Sequence, residues 1–154
     1  MLSRNSQFGC PLRGLTGLAI LLVTTTFASA EPNWLRTSAA ALKSANESGK
    51  PIVVYISTPW CHYCKVMAAD TWPDQDLTRM VNDHFTPLAI NGDADVNAVE
   101  SLKVTGFPTT ILFTKDGREI ARRPGSVTAT EMKSWMQSAL ATQKPANSLR
   151  TAQR

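Results

Sequence analysis

A continuous apolar segment leads directly into a pair of cysteines in residues 52–65, which have the sequence IVVYISTPWCHYCK. Residues 52–56 are mostly β-branched and carry no charge, which is typical of a strand that is covered on both faces. Pro59 interrupts this pattern, and a helix is predicted to begin at or near Cys61 and to continue to Thr71. The sequence therefore places Cys61 at the start of a helix and Cys64 within its first turn.

This placement predicts thiol–disulfide exchange. Unpaired backbone N–H groups at the start of a helix favour an anion, and the thiolate is the attacking species in the exchange reaction. Two intervening residues allow the two sulfurs to meet. Cys61 is therefore the predicted nucleophile, and Cys64 is the thiol that resolves the mixed disulfide.

A metal site is the alternative use of the same two cysteines. Structural zinc sites usually have four protein ligands, and His84 is the one histidine outside the motif. His62, between the cysteines, is poorly placed to bind the same ion. Thiolates are soft ligands, so Cu(I) is the metal that this alternative favours.

Helix and strand patterns alternate on both sides of the cysteines. Helices are predicted over residues 33–48 and 61–71, after the caps Asp74 and Asn97, and after the capping box formed by Thr128 and Glu131. Strands are predicted over residues 52–56, 85–90, 109–113 and 119–122. The order α-β-α-α-β-α-β-β-α indicates an α/β fold with a mixed sheet between helical layers.

Residues 1–30 have the features of a secretory signal peptide. Arg4 and Arg13 precede or open an apolar run over residues 15–27, and residues 28–30 form the small-x-small sequence ASA. Cleavage there would leave a chain that begins at Glu31 in the periplasm or outside the cell. The run is shorter than the roughly 20 apolar residues of a membrane span. An uncleaved anchor is the alternative.

Composition limits the remaining possibilities. A chain of 154 residues suits one domain, and 43% hydrophobic with 18% charged residues is not the composition of a disordered protein. The net charge is +4, without a basic stripe interleaved with aromatics, so no nucleic-acid partner is predicted. The predicted domain covers residues 31–143. Residues 144–154 are polar and unpatterned, and they are predicted to form a disordered tail.

Two motifs together resemble the thioredoxin-like superfamily. They are WCHYCK at residues 60–65, after an apolar strand, and TGFPT at residues 105–109. The resemblance covers about residues 50–141 and is strongest to exported bacterial thioredoxin-like proteins and to the C-terminal domain of DsbD-type reductases. It implies a thioredoxin-like α/β fold with a central mixed sheet of four or five strands flanked by helices.

The resemblance also implies roles for individual residues. Cys61 would be the exposed nucleophile and Cys64 the buried resolving thiol. Pro108 would be a cis-proline that faces the pair, and the backbone of Phe107 would pair with an extended substrate. Trp60 would lie at the rim of the site, with a simple core aromatic as the alternative. The residues implied in substrate binding are Trp60, Tyr63, Phe107 and Pro108.

The chain departs from the family pattern near the resolving thiol. Thioredoxin has a buried acid six residues before the first cysteine, whereas this chain has Tyr55, and Pro87 falls near the lysine that accompanies the acid. Deprotonation of Cys64 is therefore expected to depend on water or on His62. A protonated His62 beside Cys61 would stabilise the reduced pair and raise its reduction potential. Alternatively, His62 points to solvent and only shapes substrate contact.

The predicted function is an exported thiol–disulfide oxidoreductase that acts on protein thiols and disulfides as a reductase. Its redox centre would be the Cys61–Cys64 couple, without a metal or an organic cofactor. A membrane electron donor of the DsbD type is a candidate partner, and a monomer is expected because no dimerisation domain is visible. The alternatives are a disulfide oxidase or isomerase, and a Cu(I) chaperone that uses the same cysteines.

Overall fold

A computed structural model describes residues 31–151, so the predicted signal peptide and residues 152–154 lie outside the described residues. Within this range the chain forms α1 (Ser38–Ser48), β1 (Ile52–Ser57), α2 (His62–Val66) with a π-helical turn (Met67–Thr71), α3 (Gln75–His84), β2 (Thr86–Asn91), α4 (Val96–Ser101), β3 (Thr109–Phe113), β4 (Glu119–Pro124) and α5 (Ala129–Thr151). The predicted order of helices and strands is confirmed.

The four strands form one mixed sheet in the order β2-β1-β3-β4. β1 runs parallel to β2, with Ile52 beside Thr86, and the β1–β3 and β3–β4 pairs are antiparallel. The mixed sheet confirms the fold class expected from the sequence. β1 lies between two neighbours, which explains why its residues are apolar throughout.

The start of the first helix was predicted wrongly. Residues 33–36 do not extend α1. Instead, Leu35 makes a parallel bridge to Leu88 at the edge of β2, where its N–H donates to Pro87 O and its carbonyl accepts from Ala89 N–H, both at 2.9 Å. Thr37 is the N-cap of α1, because its hydroxyl accepts the N–H of Ala40. The exposed edge of the sheet offers these backbone groups partners that a local helix pattern does not reveal.

The sheet separates two apolar layers. On one face, Tyr55 and Val53 of β1 pack with the α2 segment, α3 and α5; the buried residues of this layer are Val53, Tyr55, Met67, Trp72, Leu77, Val81, Phe85, Leu112, Met132, Met136 and Ala139. On the other face, the alternate residues of β1 pack against α1; this layer contains Ala41, Ala45, Ile52, Val54, Ile56, Leu88, Ile90 and Ile111. β1 thus contributes side chains to both layers and fixes the start of α2 against them.

Two helix caps predicted from the sequence are confirmed. Asp74 caps α3 by accepting the N–H of Leu77, and Thr128 forms the predicted capping box with Glu131 before α5. α4 is capped by Asp95 rather than by Asn97, since Asp95 Oδ1 accepts the N–H of Ala98 at 3.0 Å.

The structure also differs from the sequence prediction at the C-terminus. α5 continues to Thr151, beyond the point at residue 144 where a disordered tail was expected. Residues 144–151 include alanine, lysine, leucine and arginine, which have high helix propensity.

Candidate active site

The two cysteines lie at the junction between β1 and α2. Cys61 is the N-cap of α2, with extended backbone angles (φ −72°, ψ 114°), and its own N–H donates to Thr58 O at 3.3 Å. Its Sγ accepts the N–H of Cys64 at 3.2 Å. The Cys64 N–H therefore points at the sulfur that is predicted to attack.

Both thiols are free and both are buried. The exposed fraction is 6% for Cys61 and 4% for Cys64. The expectation that Cys61 is exposed is therefore wrong in this conformation, because its sulfur turns toward the Cys64 N–H instead of toward solvent. The expected burial of Cys64 is confirmed.

Burial, together with the hydrogen bond from Cys61, raises the pKa of the Cys64 thiol to about 11. The backbone N–H of Thr58 and the side chain of Tyr55 act in the opposite direction and favour the thiolate. At neutral pH Cys64 therefore holds its proton. This thiol is suited to a second step, after a proton acceptor has become available, rather than to the first attack.

The side chain of Tyr55, in β1, contacts the backbone of Cys64. Its hydroxyl donates to the carbonyl oxygen of Cys64 at 3.3 Å. The ring packs against two indoles, with centroid distances of 5.8 Å to Trp34 and 5.1 Å to Trp72. The sequence shows Tyr55 only as the residue in the place of an acid, and no sequence pattern connects Trp34 with this aromatic group.

Trp60 lies at the rim of the site, with 67% of its surface exposed, so the core alternative is excluded. Its ring meets Phe107 edge-on at a centroid distance of 5.9 Å. Its Nε1 donates to both carboxylate oxygens of Asp93 at 3.1 Å. Nothing in the sequence around Asp93 points to this contact.

Phe107 fits at this rim because Gly92 has no side chain. A Cβ at Gly92 would lie 2.7 Å from two carbons of the Phe107 ring, which is closer than real Cβ contacts. The ring thus occupies the space beside the loop that follows β2. The loop after β2 and the segment before β3 are packed together at the same end of the sheet.

The Phe107–Pro108 peptide bond is cis. Pro108 is buried, and its carbonyl accepts the N–H of Gly125 at 2.8 Å. Thr109, the next residue, pairs with Ile56 near the end of β1. This register brings residues 107 and 108 to the end of β1 from which the chain enters the cysteine motif.

His62 and Tyr63, the two residues between the cysteines, are exposed to solvent. Their rings meet edge-on at a centroid distance of 5.5 Å, and 63% of the Tyr63 surface is accessible. Tyr63, Trp60 and Phe107 thus present aromatic surface near the cysteine pair. His62 is placed against Tyr63, where it can shape this surface.

Across residues 31–151, no three histidine, cysteine or carboxylate side chains are grouped so that they could hold a metal ion. In the same range, no helix is both long and apolar enough to cross a membrane. The cysteine pair alone supplies two thiolate ligands, fewer than a structural zinc site uses.

Comparison with known proteins connects this geometry to redox proteins. Residues 38–140 match the model of a family described as a thioredoxin-like domain. Chloroplastic thioredoxin X of Arabidopsis thaliana is 33% identical over 93 residues, which cover 58% of this chain and 48% of that protein. The thiol:disulfide interchange protein DsbD of Citrobacter koseri is 31% identical over 91 residues, which cover 56% of this chain and 16% of that protein. The chain therefore matches about half or less of the length of each relative.

The fold also agrees with a solved structure. The oxidised C-terminal domain of DsbD from Neisseria meningitidis superposes with a TM-score of 0.61 at 23% identity. The superposition covers 69% of this chain and 98% of that chain. The resemblance expected from the two motifs is confirmed, as is the fold that it implies.

Proposed function

Because the chain belongs to the thioredoxin-like family, we propose that it is a thiol–disulfide oxidoreductase in which Cys61 attacks and Cys64 resolves. The observation that carries this assignment is the asymmetry of the two thiols. Cys61 Sγ receives a backbone N–H at 3.2 Å, whereas burial raises the pKa of Cys64 to about 11. Cys61 is therefore the thiol that attacks first, and Cys64 keeps its proton until the second step.

The proposed reaction has two exchange steps. The Cys61 thiolate attacks one sulfur of a substrate disulfide, forms a mixed disulfide and releases the other substrate sulfur as a thiolate. Cys64 then loses its proton and attacks Cys61 Sγ. The bond between Cys61 and the substrate breaks, the second substrate thiolate leaves and takes up a proton, and the Cys61–Cys64 disulfide remains. Two electrons pass from the cysteine pair to the substrate.

A protein substrate would bind along the aromatic rim. Trp60 and Tyr63 are exposed beside the motif, and Phe107 and Pro108 approach the same end of β1. An extended substrate segment could pair with the backbone before β3 by strand addition, with the aromatic side chains covering the reacting sulfurs. The cysteine couple would be the only redox centre that the reaction needs.

We propose that the direction in the cell is reductive and that the compartment is the periplasm or the exterior. The similarity to DsbD supports the direction, and the signal-peptide features of residues 1–30 support export. In that compartment an electron donor is needed to regenerate the reduced pair, and a membrane protein of the DsbD type fits this need. The chain would act as a monomer.

Reduction of insulin disulfides by the full chain, with dithiothreitol as electron donor, tests the activity. Cys61→Ser should abolish turnover. Cys64→Ser should keep the first attack and accumulate a mixed disulfide, which non-reducing electrophoresis detects. Equal loss in both variants without any mixed disulfide would contradict the assigned roles. Tight Cu(I) binding without insulin turnover would favour a copper chaperone instead.

The reduction potential of the pair tests the direction. Equilibration with glutathione should give a value near that of thioredoxin, about −270 mV, if the protein is a reductase. A value near about −120 mV would indicate an oxidase. His62→Phe, measured in parallel, keeps a ring beside Tyr63 but removes the imidazole, so a changed potential would be due to the histidine and not to this ring contact.

A further inference from the structure

A cleft of about 280 Å³ opens beside the resolving thiol. Tyr55, Cys64 and Ala68 form part of its lining, together with residues from the ends of β1 and β2. Among the residues that line it, the charged side chains are Arg36 and Lys65. The cleft thus adjoins a buried thiol, the charged residues of its lining are cationic, and no carboxylate is among the lining residues to accept the proton.

Tyr55 is held firmly where the cleft meets Cys64. The carbonyl oxygen of Cys64 accepts both the Tyr55 hydroxyl and the N–H of Met67, at the point where α2 changes into the π-helical turn. Trp34 and Trp72 also contact each other edge-on at a centroid distance of 4.9 Å, so the ring of Tyr55 packs against two indoles that support each other. A hydroxyl fixed in this way holds the Cys64 backbone at a constant position relative to β1.

Tyr55 acts as a neutral hydrogen-bond donor. Burial raises the pKa of its hydroxyl, and the neighbouring charge of a Cys64 thiolate raises it further, so it keeps its proton while Cys64 ionises. A buried carboxylate in this place would repel the forming thiolate, whereas a hydroxyl does not. The other charged or titratable groups around Cys64 are Cys61 in the same motif, and Arg36 and Lys65 along the cleft.

We propose that Tyr55 is the positioning residue of the resolving thiol, and that the Cys64 proton leaves to water through the adjoining cleft. This inference rests on the proposed function, since it concerns the second exchange step. The proton passes from Cys64 Sγ to solvent, the thiolate attacks Cys61 Sγ, and the departing substrate thiolate is protonated from solvent. Protons and electrons balance without a further reactant.

The test follows both steps in one reaction with 5,5′-dithiobis(2-nitrobenzoic acid). The full chain is used with Cys10→Ser, so that Cys61 and Cys64 are its only thiols. The first release of thionitrobenzoate reports attack by Cys61, and it depends on reagent concentration. The second release reports attack by Cys64 on the mixed disulfide, and it is independent of that concentration. Its rate is measured against pH.

Tyr55→Phe should raise the apparent pKa of the second release by about one unit, because the tyrosine side chain, which lowers the pKa of Cys64, loses its hydroxyl. Below this pKa the thiolate fraction falls about tenfold, while the greater nucleophilicity of a more basic thiolate recovers about threefold. The net result is a second release slowed roughly threefold to fourfold. The first release should keep the wild-type rate.

Thr110→Val is the matched control. Thr110 pairs directly with Tyr55 on the neighbouring strand, and its buried hydroxyl has no hydrogen-bond partner among the described residues. Its loss should leave both releases unchanged. An unaltered pH profile in Tyr55→Phe would overturn the proposal. Equal slowing of both releases would overturn it too, because Tyr55 would then support the site as a whole.

Trp34→Phe gives a second measurement if Tyr55→Phe does not fold by circular dichroism. This variant keeps the Tyr55 hydroxyl but weakens the packing of Trp34 against the Tyr55 ring. A slower second release with a normal first release supports the proposal, and two unchanged releases contradict it. Because this reagent requires no protein substrate, failure of the proposed function is seen separately, as absence of insulin reduction by the wild-type chain.

Discussion

The indole of Trp60 and the carboxylate of Asp93 are joined by two hydrogen bonds of 3.1 Å, although the residues lie 33 positions apart in the chain. Asp93 is itself fixed, since its N–H donates to Asn91 Oδ1 at 3.0 Å. An aromatic ring with 67% of its surface exposed would otherwise adopt several rotamers. The loop after β2 therefore holds Trp60 in one orientation beside the cysteine pair.

Asp93→Asn should weaken substrate binding while leaving the chemistry intact. The variant keeps one acceptor oxygen but loses the charge, and at an exposed site this costs about 0.5–1 kcal/mol. The corresponding rise in KM for insulin reduction is about twofold to fivefold, with kcat nearly unchanged. Asp116→Asn, in the turn between β3 and β4, is the control and should have no effect on KM. A wild-type KM in Asp93→Asn would show that Trp60 needs no support.

Gly92→Ala should force the ring of Phe107 out of its present position. The new methyl group would lie 2.7 Å from two ring carbons, so the ring must turn and lose its edge contact with Trp60. Edge contacts between aromatic rings contribute about 0.5–1.5 kcal/mol. The free energy of unfolding in urea should fall by about 1 kcal/mol.

Gly106→Ala is the control for this prediction, since no atom lies within 4 Å of a Cβ placed at that position. Its free energy of unfolding should stay within about 0.5 kcal/mol of wild type. The double variant with Phe107→Leu should recover part of the loss, because the clashing ring atoms are removed. Equal unfolding free energies for the two alanine variants would contradict the close packing of Gly92 and Phe107.

The sequence was sufficient to predict the features that depend on neighbouring residues. The apolar run before the cysteines predicted β1, and the spacing of Thr128 and Glu131 predicted the capping box of α5. In each case the interacting groups lie within one strand or one helical turn. The alternation of helices with strands then restricted the architecture to a mixed sheet between helical layers.

The features that were missed depend on contacts between distant segments. The pairing of Leu35 with Leu88 competes with a local helix pattern, and only the position of the β2 edge decides the outcome. Similarly, the bond from Trp60 to Asp93 joins two loops, and nothing in either loop alone indicates the other. The burial of Cys61 depends on the direction of one side-chain rotamer, which the sequence does not specify.

Asp74→Ala should destabilise the protein at neutral pH. Asp74 Oδ1 accepts the N–H of Leu77 at 2.8 Å and also contacts Lys133 Nζ at 3.1 Å, and these contacts hold the pKa of Asp74 below its ordinary value. Loss of such a cap costs about 1 kcal/mol. Because the folded pKa is lowered, the stabilisation is present above the unfolded pKa of about 3.9 and is lost as pH falls through the folded pKa.

Urea unfolding at several pH values checks this sign. The difference between wild type and Asp74→Ala should be largest near neutral pH and should shrink progressively below about pH 4. Asp76→Ala is the control, since Asp76 is exposed and its closest cation, Arg79, is 3.7 Å away. That variant should change the unfolding free energy little. A difference that is constant across the pH range would show that the Asp74 charge is not involved.

Removal of Cys61 should lower the pKa of Cys64 without restoring its ordinary value. Burial is the largest cause of the raised pKa, about 11, and it persists in Cys61→Ala, while the hydrogen bond and the charge contributed by Cys61 disappear. In a Cys10→Ser background, Cys64 is the only thiol, and the pH dependence of its alkylation by iodoacetamide gives the pKa directly. Cys61→Ser, which retains a polar group, should give a value between Cys61→Ala and the parent. An alkylation profile that still has its midpoint near pH 11 in Cys61→Ala would mean that burial alone keeps the resolving thiol protonated.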